Sequence, residues 1–413
     1  MSQRNYLVPY PQRGSIFGAA ELDALSEVLN SNLTLSGGAY RESFEKQFRE
    51  MVGSRHALSV TSGTVALALA INLLGLQPGD EVIATPQTFK ATVQPLLDLR
   101  VSVRFCDIDP NTLNADPASI EALITARTKA IIIVHYGGLP AEMDRIMRLA
   151  RARGILVLED CAHALGSDYF DRRPGSLADI GCFSFHSSKN ITTLGEGGMV
   201  TFDEDTWLER LDRMRSNDSD ADFARAAHRI GELDGAPSWM VYVGNSYTHN
   251  CVTLRHAGTN ATLAEPNAAF GIAQLSRLDR LVKRRRENAA RIDAVLDQFP
   301  FVRRVVEPEG VANAYHLYTF FVDPESGANR NWIVERLAQH GVQLQLRYFP
   351  LHLLPEWRAR GHRVGECPTA ERMWFDQQIN VPCQPSLSEE QFGRILDALH
   401  DVLTEAASRN STV

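Results

Sequence analysis

The sequence predicts an α/β protein: a mostly parallel sheet covered by helices on both faces, followed by a smaller α+β region. Three observations carry this. Near-continuous apolar runs recur between residues 56 and 158, each followed by a segment of helical periodicity, which is the pattern of parallel strands buried on both faces. From about residue 300 that alternation gives way to a mixed pattern. A chain of 413 residues also exceeds what one small core organises, so two domains are expected, at 1–265 and 266–413.

The first 20 or so residues carry Pro9, Pro11 and Gly14 with little periodicity, and are expected to lie as an arm over the body. Ala19 to Asn30 and Gly38 to Val52 have amphipathic helical spacing. His56 to Val60 reads as a strand that runs into Thr61-Ser62-Gly63-Thr64 and then a helix from Val65. A strand, a small hydroxyl/glycine turn and a helix N-terminus make an anion site, because unpaired amides and the positive helix end converge there. Helix capping is the alternative role of Ser62 and Thr64.

Further strands are expected at Asp80 to Pro86, Val101 to Asp107, Ala130 to His135 and Ile155 to Leu158. Helices are expected between them at Ala91 to Leu99, Pro117 to Ile124 and Ala141 to Arg153. The anion turn, Phe89, His135 and Asp160 all fall at the carboxyl ends of these strands, where open parallel sheets bind ligands.

The stretch Gly181 to Gly198 holds Lys189 among small and hydroxyl residues, between apolar segments and with few other charges. A lysine in partly desolvated surroundings has a lowered pKa, which suits Schiff-base formation with a carbonyl cofactor. The strand ending at Glu159-Asp160 supplies an acid suited to a protonated pyridine nitrogen. Lys189 and Asp160 together are the minimum equipment of a pyridoxal phosphate (PLP) enzyme.

Downstream, Asp203 to Ser216 reads as a helix, and residues 217–258 have poor periodicity with several aromatics, a pattern more often functional or interfacial than idle. Helices follow at Pro266 to Leu278 and Leu281 to Asp297, where the basic run Lys283-Arg284-Arg285-Arg286 is expected on a solvated face. The last part is expected to comprise strands at Leu317 to Val322 and Val342 to Tyr348, a helix at Asn331 to His340 and a closing helix at Ser388 to Ala406. A net charge of -8 argues against nucleic acid or an anionic membrane as partner. No charged start precedes an apolar core and no uncharged run is long enough to span a bilayer. Six cysteines without metal-ligand spacing suit reduced thiols in the cytoplasm, with no metal expected.

Several motifs in order give a resemblance. Thr61-Ser62-Gly63-Thr64, Pro78 to Ile83, Glu159-Asp160-Cys161-Ala162-His163, Phe183-Ser184-Phe185-His186 with Lys189, and Gly195-Glu196-Gly197-Gly198 together resemble the DegT/DnrJ/EryC1/StrS group. These are PLP-dependent aminotransferases of fold type I that act mainly on keto sugars and keto cyclitols. The resemblance runs from about residue 13 to 405 and takes in Pro382 and Tyr348 to His352.

The resemblance implies that Lys189 anchors the cofactor and shuttles the proton, that Asp160 pairs with the ring nitrogen, and that Phe89 stacks on the ring. It places His163 near the ring, and Ser184 with Ser62, Gly63 and Thr64 around the phosphate. Gly258-Thr259-Asn260 fits a motif whose Asn reaches the neighbouring subunit's phosphate, which implies a homodimer with shared active sites. His186, His316, Tyr348 and His352 are candidate substrate contacts. Structural alternatives are a core aromatic for Phe89 and a satisfied core histidine for His163. Thr262 departs from the Arg that many members carry, and the stretch Asn217 to Arg255 is long for the group.

The implied reaction moves an amino group from L-glutamate or L-glutamine to a ketone, first of all on a nucleotide-linked deoxysugar. A free keto cyclitol or unlinked keto sugar is the nearest alternative. A sugar dehydratase of the same group would carry His in place of Lys189, and a non-catalytic protein would not need both Lys189 and Asp160.

Overall fold

The structure is a computed structural model that describes residues 5–216, 221–222, 253–254, 258–326 and 328–410. Its central strands are β1 (His56–Val60), β2 (Glu81–Ala84), β3 (Ser102–Phe105), β4 (Thr128–Val134) and β5 (Leu156–Asp160). After the short β6 (Asp168–Tyr169) come β7 (Ile180–Ser184) and β8 (Gly198–Phe202). Seven of them form one sheet in the order β1-β8-β7-β5-β4-β2-β3. β8 runs antiparallel to both β7 and β1, and the pairs β7–β5, β5–β4, β4–β2 and β2–β3 are parallel.

The expected alternation is therefore present. Val82, Ile83 and Ile131 to Ile133 are fully buried, as strands covered on both faces require. The helix α1 (Ala19–Asn30) and the helix α2 (Ala39–Val52) precede the sheet, and α3 (Gly63–Leu73) follows β1 directly. The Ser62 side chain caps α3 by accepting from the Val65 amide at 3.2 Å.

By compactness the chain forms two units, Met1–Asp203 with Leu263–Val413, and Glu204–Thr262. In the second, the helix Thr206–Arg215 is accompanied by the paired strands β9 (Ala221–Asp222) and β10 (Thr253–Leu254). Apart from these two strands and Gly258, the expected irregular stretch 217–258 lies outside the described residues.

In the first unit, β11 (Val302–Arg304), β13 (Tyr318–Val322) and β14 (Gln378–Val381) make a three-stranded antiparallel sheet in the order β11-β13-β14. β12 (Val311–Ala312) pairs with β6. The helices Leu278–Leu296, Arg330–Gln339 and Glu389–Asn410 share a core with this small sheet, built on Ile292, Phe320, Ile333, Ile379, Ile395 and Val402. Val8 of the N-terminal arm is fully buried in the same core. The arm is thus a structural member.

Three expectations are corrected. The helix expected at Ala91 to Leu99 is two 3-10 turns, Lys90–Thr92 and Gln94–Asp98. Pro95 lacks the amide a continuous helix needs there, and its ring crowds the preceding turn. The strand expected at Val342 to Tyr348 is reduced to one parallel bridge, Val342 with Val8. Farther along, side chains take the backbone groups a ladder would use: the Arg347 amide donates to Asn380 Oδ1 at 2.8 Å, and the Arg347 carbonyl accepts from the Tyr136 hydroxyl at 2.5 Å.

The basic run is a solvated face only in part: Lys283 is exposed, but Arg285 is not. Arg285 is fully buried and donates to the Gly14 carbonyl at 2.6 Å and the Tyr315 carbonyl at 2.9 Å. Arg286 donates to the Asn313 carbonyl at 2.9 Å. Arg285 lies on the same helix stripe as Leu281, Ala289 and Ile292, so its position in the helical period points it inward.

Candidate active site

A cavity of about 620 Å³ opens at the carboxyl ends of β4, β5 and β7, bordered by the N-terminus of α3. Ser62, Gly63, Thr64, Phe89, Asp160, His163, Ser184, His186, Lys189 and Tyr348 all line it. The fold therefore brings together residues spread over nearly 300 positions, and it does so by ending successive strands at one rim.

The loop between β7 and β8 carries Lys189. It is tied down at both shoulders: the Phe185 amide donates to the Gly197 carbonyl at 2.8 Å, and the Ser187 amide to the Gly195 carbonyl at 2.9 Å. Buried Asn190 donates to the Leu165 carbonyl at 3.0 Å. From the arm, the Gly14 amide donates to the Ser187 carbonyl at 2.8 Å. A Cβ at position 14 would stand 2.1 Å from the Ser188 carbonyl oxygen and 2.2 Å from that of Lys189, so only glycine fits. The Lys189 amine has no hydrogen-bond partner among the described residues. Burial lowers its pKa to about 8; the nearby Arg347 pushes the same way, and Asp160 opposes.

Asp160 is 5% exposed at the end of β5. Its Oδ2 accepts from the Thr92 hydroxyl at 2.7 Å, and its Oδ1 from the Ala162 amide at 3.0 Å. Thr88 and Thr92 hydroxyls lie 2.8 Å apart behind it. Burial raises the Asp160 pKa, against the opposing pull of the Thr92 and Ala162 bonds and of Lys189.

The anion turn lies against β7. A Cβ on Gly63 would meet Ser184 Cβ at 2.7 Å, and one on Gly198 would meet the Ser62 carbonyl oxygen at 2.5 Å. Both glycines permit that approach. The first-turn amides of Gly63 and Thr64 have no partner within the helix, and both residues line the cavity. Phe89 is 50% exposed, which a core aromatic would not be.

His163 is buried, with Nε2 3.1 Å from the Tyr348 hydroxyl and Nδ1 without a partner. His316 stacks on it with ring centroids 4.3 Å apart, and neither His316 ring nitrogen has a partner. Burial pushes both imidazoles well below the usual histidine range, so both are neutral.

Two fully buried histidines do not line the cavity. His352 is fully buried, with Nε2 2.9 Å from Glu371 Oε1, and does not line the cavity. His135 is also fully buried: its Nδ1 accepts from the Ala141 amide at 3.1 Å and its Nε2 lies 2.8 Å from Glu159. Asn260 belongs to the second unit, where it is exposed and bridged to Ser216.

Two residues of the site escape sequence reasoning: Thr92, which holds Asp160, and Arg347, which lines the cavity. Thr92 stands three positions after Phe89 at the same strand end, a signal that could have found it. Arg347 adjoins Tyr348 but is one of 42 Lys and Arg residues, and nothing local marks it.

An unpartnered lysine and a buried carboxylate at the carboxyl rim of a mostly parallel α/β sheet define a PLP-dependent aminotransferase of fold type I. The chain belongs to the DegT/DnrJ/EryC1/StrS aminotransferase family, whose profile it matches over residues 16–400. It is 33% identical over 412 residues to the spore coat polysaccharide biosynthesis protein SpsC of Bacillus subtilis, covering 98% of this chain and 100% of that one. It is 31% identical over 386 residues to GDP-perosamine synthase of Caulobacter vibrioides, covering 93% and 95%. Among solved structures, the aminotransferase TlmJ from Streptoalloteichus hindustanus superposes with a TM-score of 0.82 at 29% identity, covering 96% of this chain and 99% of that one. The family includes sugar aminotransferases, and PLP is its cofactor.

The residues present fit that cofactor. Free first-turn amides suit a phosphate, the open Phe89 ring suits a planar heterocycle, and Asp160 and Lys189 supply the acid and the amine. Among the described residues no helix is long and apolar enough to cross a membrane.

Proposed function

We propose that this chain transfers an amino group from L-glutamate or L-glutamine to the ketone of a nucleotide-linked deoxysugar, in the making of an amino sugar for a polysaccharide or natural product. The observation that carries the reading is Lys189, an amine with no partner among the described residues and a pKa lowered to about 8, with Asp160 in the same cavity. A relative named GDP-perosamine synthase supports a nucleotide-linked sugar as substrate.

Bound in this cavity, PLP supplies an electron sink that makes the proton on the amino-bearing carbon labile. Lys189 Nζ holds the cofactor and, once freed, takes that proton and gives it back; a pKa near neutrality lets one amine do both. Asp160 keeps a carboxylate oriented on the ring nitrogen, with Thr92 fixing its Oδ2. Phe89 would cover one ring face, and Ser62, Gly63, Thr64 and Ser184 would hold the phosphate. His163, neutral and bonded to Tyr348, would stand beside the bound ring. His186 and Tyr348 reach the substrate from the cavity wall, and His316 backs His163. Asn260 completes the phosphate site of a second protomer, so the working form is a homodimer, acting in the cytoplasm.

The test is direct. Holoenzyme is given each amino acid donor with nucleotide-linked keto sugars or free keto cyclitols, and aminated products are detected by mass. Aminated nucleotide sugar supports the reading. Amination of the cyclitols alone reassigns the substrate, and no keto acid from L-glutamate or L-glutamine overturns the donor.

A further inference from the structure

A second cavity, of about 700 Å³, shares no lining residue with the first. It lies where the turn after β6, the loop after β3 and the start of the helix Met143–Arg151 meet residues 306–311. Phe170, Val306, Pro308, Glu142, Arg145 and Arg148 are among its walls. Its size is that of a small-molecule site.

Phe170 and Asp171 are the central residues of a hairpin turn closed by Tyr169 and Arg172, whose backbones exchange hydrogen bonds at 2.7 and 3.0 Å. Two-residue turns of this kind favour positive φ at both central positions, which Asn-Gly supplies without strain. Here φ is 48° at Phe170 and 61° at Asp171, and a bulky side chain seldom adopts that backbone. The Phe170 ring is nevertheless 53% exposed. It rests on Gly310, where a Cβ would come within 2.5 Å of the ring, and the Phe170 amide donates to the Gly310 carbonyl at 2.7 Å. Tyr169 meets the ring edge to face, with centroids 4.9 Å apart. A strained turn thus fixes an open aromatic ring on the cavity wall.

Arg145 and Arg148 are exposed and, three residues apart, share one face of their helix. Among the described residues neither side chain has a hydrogen-bond or carboxylate partner. Two acids of the cavity are already engaged. Asp109 Oδ1 accepts from the amides of Asn111 and Thr112, each at 2.9 Å, and Asp144 pairs with Arg172 at 2.7 Å. The third, Glu142, is exposed, and its carboxylate has no partner among the described residues.

We propose that this cavity binds a nucleoside diphosphate. The base stacks on Phe170, with Val306 and Pro308 as apolar flanks, because an aromatic face accepts the π-face of any base. The diphosphate takes Arg145 and Arg148: guanidinium forks match phosphate oxygens, and two of them one helical turn apart suit two linked phosphates. The ribose hydroxyls donate to Glu142, an acceptor that neither phosphate could use. The assignment is independent of the chemistry at Lys189.

The experiment titrates PLP-loaded protein with ADP, GDP and UDP by calorimetry, beside Phe170→Asn and the double variant Arg145→Gln/Arg148→Gln. Asn tolerates the left-handed backbone, so Phe170→Asn removes the ring and keeps the turn. Circular dichroism and the cofactor's absorbance check that fold and PLP site are intact. At least one diphosphate is expected to bind, about tenfold or more weakly in each variant, and its parent nucleoside more weakly than the diphosphate. Absence of binding by all three overturns the proposal. Affinity unchanged in both variants also overturns it and places the nucleotide elsewhere, and a loss confined to one variant does so by removing either the stacked base or the bound phosphates. Pyrophosphate binding as tightly as the nucleotides reduces the site to an anion patch and equally overturns it.

Discussion

The Thr92 hydroxyl donates to Oδ2 of Asp160 at 2.7 Å, so the carboxylate at the end of β5 is oriented by a residue from the turn after β2. Thr92→Val keeps the shape and removes the bond. Asp160 then loses an interaction that favours its charged form, and its pKa, already raised by burial, rises further. The acid limb of the pH–rate profile should move to higher pH, and kcat should fall roughly ten- to hundredfold, the range of a hydrogen bond to a charged group. Steady-state kinetics across pH check both. An unmoved acid limb would detach Thr92 from Asp160.

Lys189→Ala should still bind PLP, but borohydride should no longer fix the cofactor to the chain. Turnover should fall by about 10² to 10⁴ or more, the worth of a positioned acid–base group. Mass spectrometry of the reduced protein reads the first effect. Near-normal turnover in this variant would remove Lys189 from the chemistry.

The lowered Lys189 pKa also makes a stability prediction for the protein stripped of cofactor. Below about 8 the lysine is protonated folded and unfolded, and its burial destabilises the fold in full. Between about 8 and the ordinary value of 10.5 the unfolded chain binds more protons, so stability rises with pH. The total is at most about 3 kcal/mol, less whatever solvent in the cavity screens. Lys189→Met should lack this rise; parallel Tm curves for the two proteins from pH 7 to 10.5 would contradict it.

Gly14→Ala forces a methyl group against the carbonyls of Ser188 and Lys189. The arm must lift or the lysine loop must shift, at a cost of about 1–3 kcal/mol. Lower Tm and faster loss of PLP on dialysis are the expected outcome. A loss of Tm with unchanged PLP retention would mean that the arm moves alone.

If Asn260 serves the partner's site, mixing Lys189→Ala with Asn260→Ala protein should restore activity that neither has alone. One site in each mixed dimer is then intact, giving roughly a quarter of wild-type turnover for random pairing. Purely additive residual rates would place Asn260 in its own protomer's site.

Sequence reasoning read the parallel sheet because its strands are long apolar runs, and it read Lys189, Asp160 and the Ser62–Thr64 turn because each sits in a local motif. It failed where distant parts of the chain decide. Nothing near residue 347 announces that Tyr136, Gln378 and Asn380 will occupy its backbone. His352 looked available until Glu371 closed on it. Arg285 reads as solvated in a run of four bases, and only the carbonyls of Gly14 and Tyr315 explain its burial.

Among the described residues β1 is an edge strand paired in the sheet with β8 alone, His56 facing Phe202 and Val60 facing Gly198. The strands β2 to β5 can assemble from neighbouring crossovers as they leave the ribosome, but β1 must wait until residue 202 has been synthesised. Until then the Ser62–Thr64 turn has no wall to face. β8 lies between β1 and β7, so the turn and the Lys189 loop are joined through the sheet only when residues 198–202 are in place.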